Sequence, residues 1–114
     1  MNIIKLYTGD DQLSYFCEID IELPTILELG QYSMPYPVTS LLFREFEAGR
    51  FFDWHNAPRS QYIIYLEGEV EVEASGGEKR TFKSGDILYA TDLAGKGHMS
   101  KTLTKGRSLV LATD

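Results

Sequence analysis

Glutamate and valine alternate without a break from Glu69 to Glu73, and a period of two marks a strand with one buried and one wet face. An apolar run precedes it. From Gln61 to Leu66, the side chains of Gln61, Ile63 and Tyr65 point one way and those of Tyr62, Ile64 and Leu66 the other. Gly68, between the two runs, marks a bend in one long strand or a tight connection between two. Ser75-Gly76-Gly77 has the conformational freedom of a hairpin turn, Arg80 to Phe82 returns, and Ser84 to Asp86 turns again. Ile87 to Ala90, His98 to Leu103 and Ser108 to Ala112 complete the series, and Ser40 to Phe46 opens it. Short strands about 8–15 residues apart, separated by glycine-containing turns, predict an all-β sandwich or barrel.

Residues 1–39 differ in texture. Pro24, Pro35 and Pro37 interrupt them, and the only helical candidate, Leu23 to Leu29, meets Pro24 at its start. The expected organisation is an N-terminal arm over 1–39, irregular and packed on the barrel or on a partner subunit, followed by a β-barrel over 40–114. A chain of 114 residues with 43% hydrophobic positions and fourteen aromatics (7 Tyr, 6 Phe, 1 Trp) has the bulk to close one core.

Charge and cysteine content narrow the function classes. The net charge of −6 disfavours nucleic acid and anionic membrane surfaces as partners, because both demand a cationic face. No apolar run approaches the length of a membrane helix, and the N-terminus lacks the pattern of a signal peptide, so a cytoplasmic location is expected. Cys17 is alone, which excludes an internal disulfide and a cysteine-based zinc site. No serine sits in a nucleophile elbow and no glycine-rich phosphate loop occurs.

Gly49, His55, Gln61 and Gly68 fall at the positions of the first conserved motif of the cupin superfamily, and the chain resembles that family over roughly residues 40–112. Ala57 stands where the motif has a second histidine, and Gln61 stands where it has a glutamate. Gly85 and His98 resemble the second motif, with Thr91 and Leu93 replacing its proline and second glycine and His98 two residues late. The 16 residues from Glu69 to Ser84 between the motifs are typical of small bacterial cupins. The resemblance implies an all-β cupin double-stranded β-helix, a jelly-roll barrel with a ligand pocket inside.

In metal-binding cupins the two motif-one histidines, the glutamate and the motif-two histidine hold one Fe, Mn, Ni or Zn ion. Carried over, this implies His55, Gln61 and His98 as the metal positions of a degenerate set. An amide supplies only a dipole where a carboxylate supplies charge, so any divalent ion is expected to be weakly held, and no cofactor is firmly implied. The same three residues are expected to bind a small-molecule ligand, with Trp54, Tyr65 and Arg44 as further candidates. Trp54 either stacks on a ligand or is core; Arg44, whose face the pattern leaves open, anchors an anion if it points inward. Arg59 is more simply a surface group than a clamp, and Asp92 to Gly97 is either a lid over the mouth or a plain connection.

Four functions compete at this point. They are a small-molecule-binding cupin, a metal-dependent dioxygenase or isomerase with a two-His-one-amide site, a metal-free acid–base enzyme, and a non-catalytic interaction protein. Cupins of the third kind pair a histidine with a carboxylate and a tyrosine, and the sequence does not locate that trio. A homodimer is expected from Tyr62, Ile64 and Leu66, a stripe that soluble monomers rarely leave in water.

Overall fold

In the computed structural model, which describes residues 1–114, the chain from Ser40 to Ala112 is wound as four nested strand pairs. Its strands are β5 (Ser40–Phe46), β6 (Phe51–His55), β7 (Gln61–Glu67), β8 (Val70–Ala74), β9 (Lys79–Phe82), β10 (Ile87–Ala90), β11 (His98–Thr102) and β12 (Gly106–Ala112). The first pairs with the last, β5 with β12; then β6 with β11, β7 with β10, and β8 with β9, all antiparallel. Folding this nest over itself yields two facing sheets, one containing β10-β7-β12-β5 and the other β6-β11-β8-β9. That order is a jelly-roll barrel, and no helix occurs.

The leader divides in two. β1 (Asn2–Thr8) and β2 (Ser14–Asp20) are regular strands, and β1 adds to the barrel by pairing parallel with β10. The reason lies in Leu6 and Phe16, which register with one another and join the buried core. Beyond residue 20 the chain forms a small hairpin, β3 (Thr25–Leu27) and β4 (Gly30–Tyr32), where the helical candidate stood; Pro24 and so short a run cannot nucleate a helix. Every residue from Pro24 to Tyr32 is exposed. The radius of gyration, 14.5 Å, exceeds the roughly 13 Å of a compact chain of this size because this arm stands off the barrel.

The core sits between the sheets. Val70, Val72 and Ala74, the valine face of the alternating strand, meet Ile63, Tyr65, Leu88 and Val110 from the other sheet. Tyr65 stacks on Phe82 at 5.3 Å, and Phe16 closes on Phe82 at 6.1 Å. Gly68 separates β7 from β8 with a φ of 83°, and a Cβ there would lie 2.5 Å from the Lys105 carbonyl oxygen. Only glycine satisfies both conditions. No helix is long and apolar enough to cross a membrane.

Candidate functional site

His55 ends β6 and His98 begins β11, and the two are register partners on these neighbouring strands. Their rings lie 4.3 Å apart, centroid to centroid, and face into a cavity of about 550 Å³ between the sheets. Gln61, at the start of β7, lines the same cavity from the opposite sheet. Gly97 makes the approach feasible. Its φ is 75°, and a Cβ on it would sit 2.0 Å from the His55 carbonyl oxygen.

Each imidazole is held through Nδ1. In His55 this atom lies 2.7 Å from the Asp53 carbonyl oxygen, and the ring stacks on Phe52 at 3.6 Å. Burial lowers the pKa of His55 below the ordinary histidine value, and the neighbouring His98 works in the same direction against the Asp53 carbonyl. In His98, Nδ1 lies 2.5 Å from Oδ2 of Asp92. Asp92 has no exposed surface, His98 is nearly buried, and Oδ1 of Asp92 has no hydrogen-bond partner. A carboxylate on Nδ1 selects the tautomer that leaves the Nε2 lone pair free.

The loop that carries Asp92 is fastened by hydrogen bonds to its neighbours. Thr8 donates from Oγ1 to the Ala94 carbonyl at 3.0 Å, and the Asn56 side-chain amide donates to the carbonyls of Ala94 and Gly95 at 3.1 Å each. The Lys96 amide donates to the Gln12 carbonyl at 3.0 Å, and Ser14 donates from Oγ to the Gly97 carbonyl at 2.6 Å. The turn between β1 and β2 therefore clamps the segment from Asp92 to His98, so the leader helps to build the site.

Arg44 points inward. It registers with Ser108 on β12, which registers with Tyr65 on β7, and its Nε donates to Ser108 Oγ at 2.8 Å. Burial pushes the Tyr65 hydroxyl far above its usual pKa, with the Arg44 guanidinium beside it opposing the rise; the phenol stays a proton donor. Trp54 does not belong to the cavity lining. It precedes His55 on the strand, faces the other way, and its ring is covered by the Lys96 ammonium at 4.5 Å. Arg59 is exposed and also lies outside the lining. Two contributors escape the sequence reading. Arg50 lines the cavity from the turn before β6, and Asp92 reads in sequence as an ordinary loop acid.

The residues that the metal-binding pattern implies meet only in part. His55, His98 and Gln61 share the cavity, Ala57 contributes no donor, and no group of three His, Cys, Asp or Glu side chains converges anywhere in the chain. Two imidazoles and a neutral amide fall short of the donor set of a firm divalent site.

The strand order and this cavity define an all-β jelly-roll barrel with an internal polar site. No family model matches the chain. Among curated proteins it is similar to oryzines biosynthesis cluster protein J of Aspergillus oryzae, 34% identical over 64 residues, which are 54% of this chain. The matched segment is 34% of that protein, so the chain spans about a third of the relative's length. Among solved structures it aligns with ethanolamine utilization protein Q of Salmonella typhimurium LT2 at 16% identity and a TM-score of 0.43, covering 99% of this chain and 95% of that one.

Proposed function

We propose that the chain is a cupin-type small-molecule protein whose barrel cavity binds its ligand against His55, Gln61 and His98, and that His98 accepts a proton from that ligand. The observation that carries this reading is the buried Asp92 carboxylate on Nδ1 of His98. A buried carboxylate is costly unless it is paired, and pairing it with an imidazole that borders a cavity prepares the free Nε2 for proton uptake. Tyr65, whose phenol stays protonated, supplies a donor on the facing sheet, at the Arg44 end of the cavity. The carboxylate-backed histidine favours acid–base chemistry over the metal-dependent alternative. On this reading a divalent ion bound at His55, Gln61 and His98 is stripped readily by chelator.

Thermal-shift screening of a small-metabolite library tests it. Compounds should raise the melting temperature of the wild type and lose that effect in His98→Asn and in Gln61→Ala. Hits that both variants retain would overturn the reading, as would a library that yields none.

The homodimer expectation is a second, independent proposal. The outer face of the larger sheet carries Phe43, Leu109, Ile64 and Ile87 in one register row and Leu41, Leu111, Tyr62 and Tyr89 in the next. Phe43 is 81% exposed, and the arm adds Ile26 at 74% and Leu29 at 93%. One chain thereby carries both an apolar sheet face and an apolar hairpin, and a second copy covers both through a two-fold contact.

A further inference from the structure

We infer that the cavity is two-ended and that its ligand is an elongated small organic oxyanion, its carboxylate or phosphate held at an arginine end and its reacting end against the imidazoles. This rests on the pocket reading above and adds the ligand's class and orientation.

The register places the two ends. Along β7, Gln61 and Tyr65 both face inward and are four residues apart. Along β11, so are His98 and Thr102. Four residues of strand span about 13 Å. Gln61 shares the His55–His98 end, whereas Tyr65 lies in the row of Ser108 and Arg44 and stacks on Phe82, the register partner of Val70. Val70 is in turn the partner of Thr102, whose backbone and side chain bond to Arg50. Arg44 and Arg50 therefore converge on the end opposite the histidines. Ile63, Val72 and Leu88 form an apolar wall between the ends.

The chain has 17 acidic residues against 11 Lys and Arg, and its arginine ion pairs are Arg80 with Glu78 and Arg107 with Glu67. Arg44 and Arg50, which line the cavity, have no carboxylate partner. Both arginines are exposed at this open end, and two guanidiniums on one cavity wall with no carboxylate in ion-pair contact suit an external anion. Arginine suits carboxylate and phosphate because its planar fork donates to both oxygens.

Titration calorimetry and imidazole NMR with defined probes test this: the linear carboxylic acids from acetate to octanoate, their neutral primary amides, and inorganic phosphate. Each longer acid should bind at least tenfold tighter than its amide. Arg44→Gln should abolish that difference, while Arg44→Lys, which keeps the charge, retains part of it and guards against a misfolded variant. Octanoate should move the ring signals of His55 and His98, and acetate should not. Inorganic phosphate binding tighter than acetate would assign the oxyanion as phosphoryl. Equal affinity for acid and amide would overturn the proposal even if other compounds bind at the imidazoles, which would leave the pocket reading standing. Acids that bind through Arg44 without disturbing either ring at any length would overturn the two-ended arrangement.

Discussion

Nδ1 of His98 lies 2.5 Å from Oδ2 of Asp92, with both side chains buried beside the cavity. Five residues lie between them in sequence, and that loop is held by hydrogen bonds with Thr8, Gln12, Ser14 and Asn56. Removing the carboxylate leaves a buried imidazole N–H without a partner. Asp92→Ala should therefore lower the unfolding free energy by about 1–3 kcal/mol, measured by urea denaturation. Asp92→Asn, whose amide oxygen still accepts, should cost less. Equal costs for the two would show that this hydrogen bond does not hold the loop.

His55 adds a pH dependence with a definite sign. Its pKa is lowered in the folded protein, so below the ordinary value of 6.5 the unfolded chain binds more protons than the folded one. The stability associated with His55 is complete above that pH and declines as the pH falls through the folded pKa. Melting temperatures recorded across the acid side of neutrality should fall more steeply for the wild type than for His55→Gln. Parallel curves would contradict the lowered pKa.

Gly97 is the tightest point of the site. A methyl group there meets the His55 carbonyl, and an L-residue is strained at its φ of 75°. Gly97→Ala should cost about 2–4 kcal/mol and displace His98 from His55. A variant with wild-type stability would show that the two strands separate more easily than their register implies.

The outer sheet face supplies a test of association. Ile64 lies in the row of Phe43 and Leu109 and points away from the cavity. Ile64→Glu should shift sedimentation from dimer to folded monomer at micromolar concentration. A wild type that sediments as a monomer throughout that range would end the dimer proposal.

Much of the barrel is legible in local pattern. The valine–glutamate alternation assigns the faces of β8, and the Gln61–Leu66 run correctly sends Ile63 and Tyr65 inward. The spacing of Gly49, His55, Gln61 and Gly68 points to the cavity, where the structure brings His55 and Gln61 together with His98. Other features depend on distant contacts. SLLFREF has no clean alternation, so Arg44 acquires a face only through its register with Ser108, 64 residues away. Asp92 meets His98 in a loop held by residues distant in sequence, Thr8, Gln12 and Ser14 around the β1–β2 turn and Asn56 after β6. Trp54 attracts attention as an aromatic beside a histidine, yet strand alternation turns it outward under Lys96.

The account rests on the free lone pair of His98, and long-range proton–nitrogen NMR of the imidazoles tests it most directly. The chain has only 2 histidines, so a His55→Asn variant assigns both sets of signals. In its neutral form His98 should carry its proton on Nδ1, with Nε2 bare, and Asp92→Ala should remove that preference. A neutral His98 protonated on Nε2 in the wild type would contradict the proposed proton acceptor.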